Sequence, residues 1–231
     1  MYFVAVSTNR LILYKTEMMN KRFFQVALGL FLSATALVAS AQKTYKEGVI
    51  TYSVSTPQGD IETKTYFNRD SSASVFAAGP AEIKTLSTNK GDYVAVLVSV
   101  PSMQLKKAGV GTPAEIEDYK KQNPNFTFTP TTETKQIAGY NCKKVTAKDA
   151  KGASYDIWVT NDIVVPENMM TQYLSKAGGF PVQFVTVQQG STVNITFKSI
   201  VEQKAPAGTF VIPKDYEKIS LTELRQLGGG Q

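Results

Sequence analysis

"FPVQFVTVQQGSTVNITFKSIVEQK", residues 180–204, is the stretch on which the fold is decided. Val193, Ile195 and Phe197 alternate with Asn194, Thr196 and Lys198, the period of a strand with one buried face. The Gln-Gly-Ser break at 189–191 separates two such runs, as a hairpin requires. Working outward, the same period recurs. "EGVITYSVST" opens the series, and a turn at 57–60 containing Gly59 leads into "IETKTYFNRD". There Ile61, Thr63, Thr65 and Phe67 alternate with Glu62, Lys64, Tyr66 and Asn68. "SASVFAAG", "AEIKTLST" and "DYVAVLVSV" follow. The last is apolar on both faces through Val100 and predicts a strand covered on both sides. "TETKQIAG", "YNCKKVTAKD" and "SYDIWVTND" add three more strands. "IETKT" and "TETKQ" look alike, but five residues of ordinary strand composition do not make a repeat.

Helices interrupt this pattern in three places. In "GTPAEIEDYKKQNP", Thr112 is placed as N-cap, Pro113 as first helical residue and Glu115 as its capping-box partner, with Asn123-Pro124 as the stop. A second helix is expected over Pro166 to Ala177, with Met169, Met170, Tyr173, Leu174 and Ala177 on one face and Gly178-Gly179 as terminator. "SLTELRQL" carries a further capping box, Ser220 to Glu223, and a Leu221/Leu224 stripe. The whole reads as α+β: a strongly bent antiparallel sheet, or incomplete β-barrel, with two or three helices packed on one side.

The front of the chain reads as a secretory signal. Lys21 and Arg22 precede an apolar run from Phe23 to Val38, and Ala39-Ser40-Ala41 supplies small residues for cleavage. The run is shorter than the roughly 20 residues that span a bilayer. We therefore expect residues 1–18 to be an upstream mis-start, 19–41 a signal peptide, 42–227 one domain and 228–231 a flexible tail. The product would be periplasmic or extracellular, with no transmembrane segment. Removing four cations (Arg10, Lys15, Lys21, Arg22) and one anion (Glu17) takes the formal charge from +6 to +3. The remaining lysine pairs are too scattered to track phosphates, which argues against nucleic acid.

The composition restricts the chemistry sharply. With no histidine, Ser-His-Asp and Cys-His arrangements and histidine-ligated metals are impossible. With one cysteine there is no intrachain disulfide and no thiolate cluster. Glu115, Glu117 and Asp118 lie where a helix dipole favours acids, and so read as structural. We assign no catalytic residue, no metal and no cofactor. Trp158 reads first as packing and second as a binding platform, and Met169 and Met170 first as core and second as an adaptable ligand contact. The candidate apolar lining is Trp158, Met169, Met170, Tyr173, Leu174 and Phe184.

Cys142, in "QIAGYNCKKV" (136–145), is expected to be buried on a hairpin turning at Gly139. Alternation sets Cys142 with Lys144 and against Val145, so burial of both predicts a bulge at Lys143-Lys144.

Three segments together resemble a group of exported Bacteroidota envelope domains of unknown function. "TETKQIAGYNCKKVTAKD" with "YDIWVTNDI" is similar to the hairpin I-x-G-Y-x-C-K-K and W-[VY]-T strand of the GLPGLI family. "GGFPVQFVTV" matches the position of its glycine–proline segment but departs from its literal motif, which fits a sister family. "GTFVIPKDYEKIS" resembles an F-x-x-P-x-x-Y strand end at Phe210, Pro213 and Tyr216. The resemblance covers residues 45–219. It implies the half-barrel fold of the lipoprotein carriers LolA and LolB, in which helices cover an apolar concavity, and carries over no catalytic residue. We accordingly expect an exported, non-enzymatic protein binding a lipid or lipoprotein acyl chain. The alternative is a structural module docking an envelope protein, and a carboxylate- or lysine-based hydrolase ranks below both.

Overall fold

The computed structural model describes residues 42–56, 59–122, 125–168, 171–188 and 191–228. The signal segment, Met169, Met170, the Asn123-Pro124 stop, residues 57–58 of the first turn, Gln189-Gly190 of the late hairpin and 229–231 of the tail lie outside the described residues.

The alternating runs form strands β1 (Lys43–Thr44), β2 (Gly48–Thr56), β3 (Gly59–Phe67), β4 (Ser71–Ala78), β5 (Ala81–Thr88), β6 (Val94–Val100) and β7 (Leu105–Val110). Helix α1 (Pro113–Gln122) is followed by β8 (Thr127–Ile137), β9 (Tyr140–Lys148), β10 (Ser154–Thr160) and β11 (Ile163–Val164). Next come β12 (Phe180–Gln188), β13 (Ser191–Val201), β14 (Glu217–Ser220) and helix α2 (Leu221–Leu227). Twelve strands build one sheet in the order β14-β7-β6-β5-β4-β3-β2-β13-β12-β10-β9-β8, and β1 pairs with β11 apart from it. Within the large sheet only β14 and β7 run parallel. Its two ends do not pair with each other, so the sheet is bent but not closed into a barrel. No helix of the described residues is long and apolar enough to cross a membrane, which says nothing of strands.

Ladder partners share a face, and the registers sort the side chains into two surfaces. The inner face carries Ile50, Tyr52, Thr65, Phe67, Ile195, Phe197 and Phe184. Residues of β2, β3, β9, β10, β12 and β13 meet there in one core cluster, which a flat sheet would hold apart. At the far end of this face Val94 and Val96 pack against Ile116 and Tyr119 of α1 and Leu221 of α2. The outer face of β4–β7 carries Ala73, Leu86, Ala95, Leu97 and Ala108, covered by Phe210, Ile212 and Tyr216 of the irregular segment preceding β14. Strand β6 is thus covered on both sides, as its composition requires.

Both capping boxes form. Thr112 Oγ1 accepts from the Glu115 N–H at 3.3 Å while Glu115 Oε2 accepts from the Thr112 N–H at 2.8 Å. Ser220 and Glu223 do the same at 3.1 and 2.7 Å. The expected helix over 166–177 is corrected: only Gln172–Ala177 is helical, as a 3-10 stretch ended by Gly178 at φ 82°. Residues 166–168 run on irregularly from β11 (Ile163–Val164), and the helical turn begins only where Asn168 Oδ1 accepts from the Thr171 N–H at 3.1 Å.

The hairpin ends β8 at Ile137 and resumes at Tyr140, with Ala138 and Gly139 both at positive φ (50° and 84°). This is the twist-compatible two-residue turn that glycine favours. Cys142 is buried, at 1% exposure. The expected bulge at Lys143-Lys144 is corrected: β9 keeps regular register with β10 from Lys143 to Lys148. The irregularity lies one strand over, where three residues of β8 between Pro130 and Thr134 stand against Lys144 alone. Thr131 Oγ1 donates to the Lys144 carbonyl at 3.1 Å, and Lys144 Nζ meets Glu133 at 3.0 Å and Asp156 at 2.9 Å. Edge strands tolerate both proline and such bulges, and β8 is an edge.

Candidate functional site

Strands β3, β4 and β5 cross the middle of the inner face with small hydroxylated side chains. Thr65, Ser72, Ser74 and Ser87 are all buried. Thr65 and Ser74 hydroxyls pair at 2.9 Å, and so do Ser72 and Ser87. Paired hydroxyls can be buried at little cost. Further along the same strands the floor turns apolar. Val54 opposes Ile61, Phe76 opposes Ile83, and Ile83 opposes Val98. Together with Val96 these side chains are only half-buried, an apolar row across five strands.

Tyr52 opposes Thr63 where hydroxyl floor and apolar row meet. Its ring stands edge-on to Phe184 (6.0 Å, 90°) and Phe197 (6.2 Å, 76°). Burial, and then neighbouring Tyr173, push its phenol well above the usual tyrosine range and hold it neutral. Tyr173 donates to the Val185 carbonyl at 2.9 Å, and burial pushes its phenol up to about 12. Tyr119 of α1 is raised by burial too, and its proximity raises Tyr173. Three neutral phenols from β2, α1 and the 3-10 stretch thus gather over this face.

The residues singled out from sequence are only partly brought together. Leu174 and Phe184 are buried in the main cluster at 1% and 4% exposure, and Tyr173 packs against it. Phe126 links them, 6.1 Å from the Tyr173 ring. Trp158 also packs against this cluster, but from another side. It opposes Gln183 and Lys144, so alternation places it on the outer face, where Lys135 Nζ sits 4.0 Å from its ring centroid. Met169 and Met170 lie outside the described residues. Sequence reasoning missed Tyr52, the hydroxyl floor and the apolar row. The alternation of Ile61, Thr63, Thr65 and Phe67 carried the signal, but composition alone did not tell which face looks inward.

The described residues also form open clefts elsewhere. The one of ≈ 690 Å³ lies between Tyr45, Arg69, Asp70 and Val165, and one of ≈ 370 Å³ borders Leu174 and Phe180. Both are rimmed by polar and charged side chains at the β1–β11 end.

Residues 47–216 match the family described as a domain of unknown function, DUF4412. The chain belongs to this family. The DUF4412 match stops short of Ser220, so α2 lies beyond the matched residues. No curated protein matches the chain. Among solved structures, PNGF-II is similar at 17% identity and a TM-score of 0.47, over 78% of this chain and 32% of that one. The chain thus spans about a third of that protein. An uncharacterized conserved protein from Thermus thermophilus is similar at 11% identity and 0.47, over 84% and 99%. MucB is similar at 11% identity and 0.31, over 73% and 58%.

Proposed function

We propose that this DUF4412 domain is an exported, non-enzymatic envelope protein that holds an apolar ligand against the inner face of its bent sheet. The observation that carries the reading is the half-buried row of Val54, Ile61, Phe76, Ile83, Val96 and Val98. Contiguous apolar surface left open beside a packed core marks a binding groove more often than a packing defect. The signal-like leader supports export, and the resemblance to lipoprotein carriers points to an acyl chain. Protein purified from its native envelope should carry an apolar adduct of defined mass in native mass spectrometry. A ligand-free chain would overturn the reading. Phe76→Asp should abolish the adduct while leaving the fold intact, since the side chain is half-buried at the groove.

A second reading, an envelope interaction module without a small ligand, draws on Leu174 and Phe184. Both are already enclosed by protein side chains, so this part of the expected concavity is filled. The same adduct measurement decides between the two.

A further inference from the structure

Tyr52 is more than nine-tenths buried, at 8% exposure. Its hydroxyl has no hydrogen-bond partner among the described residues, although neighbouring hydroxyls on the inner face are paired with one another. Among the described residues only Asn89 Oδ1 is both buried and unpaired, so the Tyr52 oxygen is not sealed in the core but is the part of the side chain left accessible. Its place is specific. The ladder puts Ile50 and Thr65 on one side of the Tyr52–Thr63 pair and Val54 and Ile61 on the other. One end of the apolar row is therefore marked by a phenolic donor without a protein partner among the described residues. The aromatic wall of Phe184 and Phe197 fixes the ring from the other side.

A neutral donor next to apolar surface selects a particular chemistry. An ionised carboxylate would lose its hydration there with no cation facing it along Ile50, Thr65, Thr63, Val54 and Ile61. A pure hydrocarbon would leave the phenol unpaired. A neutral carbonyl attached to an alkyl chain satisfies both surfaces. We propose that Tyr52 donates to the carbonyl of an acyl ester whose chain lies along Val54, Ile61, Phe76, Ile83 and Val98. The assignment rests on the apolar-ligand reading above and adds the head-group chemistry to it.

The test uses the full-length secreted protein stripped of lipid, with monoolein, oleate and hexadecane competing against a bound fluorescent apolar probe. Tyr52→Phe removes only the hydroxyl, and its thermal melt should not fall below that of the wild type. In the wild type, monoolein should outcompete hexadecane and oleate. Tyr52→Phe should lose roughly tenfold in monoolein affinity, the worth of one hydrogen bond, with hexadecane unchanged. An unaltered monoolein-to-hexadecane ratio in Tyr52→Phe would overturn the role of Tyr52 while leaving the apolar groove standing. Oleate binding more tightly than monoolein would overturn the neutral-carbonyl assignment. Failure of the wild type to bind any of the three would bring down the groove and this inference together.

Discussion

Glu115 holds two helices by their N-termini at once. Its Oε2 caps α1 through Thr112, and its Oε1 accepts from the Thr222 N–H at 2.8 Å and the Thr222 hydroxyl at 2.6 Å, 107 residues away. The Thr222 hydroxyl, then the Thr112 amide, hold its carboxyl down at about 2 against an ordinary 4.5. A carboxyl depressed in the folded state contributes stability that is present above the unfolded pKa and lost as pH falls through the folded one. Glu115→Gln should therefore lower stability at neutral pH by about 1 kcal/mol, the usual scale of a lost cap. Thermal melts of wild type and variant should converge as pH drops from about 4.5 towards 2. A gap that stays constant over that window would show that the ionised carboxylate is not what matters. Cys142 gives the second residue-scale prediction. Its thiol is raised by burial and donates to the Tyr140 carbonyl at 3.4 Å. Iodoacetamide should leave it unmodified in the native protein and label it fully in denaturant.

At the scale of elements, α2 lies closely on β7 because two glycines face it. A Cβ at Gly109 would stand 2.8 Å from Leu224 Cδ2 and 3.2 Å from Leu221 Cδ2, and one at Gly111, just past β7, 3.1 Å from Leu221 Cδ1. Gly109→Val should cost about 1–3 kcal/mol by pushing the helix outward. Urea titration would read this as a lower midpoint, and an unchanged midpoint would mean that α2 docks loosely. Elements were also where sequence was most legible. The capping residues Thr112, Glu115, Ser220 and Glu223 announced both α-helices, and alternation announced the large strands. What alternation could not supply was the consequence of one extra residue. Between Phe197 and Ser199 the register of β13 against β2 shifts, and Ile200 comes to oppose Ile50 on the face that Phe197 already occupies. Simple parity would have sent Ile200 outward. The 166–177 segment failed for a different reason: its apolar spacing is helical, but its first residues follow directly on a strand that pairs with β1, a partner 120 residues away in the ladder Lys43↔Ile163. The Glu115–Thr222 tie and the outward position of Trp158 are likewise products of long-range register, which local composition does not encode.

For the molecule as a whole, most pairings are local hairpins, but four stitches join more distant parts: β1 to β11, β2 to β13, β10 to β12 and β7 to β14. Such topology is slow to form, and refolding should take milliseconds to seconds, on the order of other sheet-dominated domains. Stopped-flow fluorescence of Trp158, the sole tryptophan, would follow it. Refolding within microseconds would contradict this topology. The segment crossing the outer face adds a clasp, since Phe210 packs on the cluster of Leu86 and Leu97, and Lys106 bonds Asp215 at 2.6 Å. Phe210→Ala should cost about 2 kcal/mol, less than a fully buried aromatic, by chemical denaturation. The order in which these stitches close has a consequence for a chain made from its N-terminus. The meander from β2 to β7 emerges first with both of its edges bare, and their partners β13 and β14 are the last strands to leave the ribosome. Completion of the sheet is therefore timed by its final stretch, and both edges of the early meander stay unpaired until that stretch arrives.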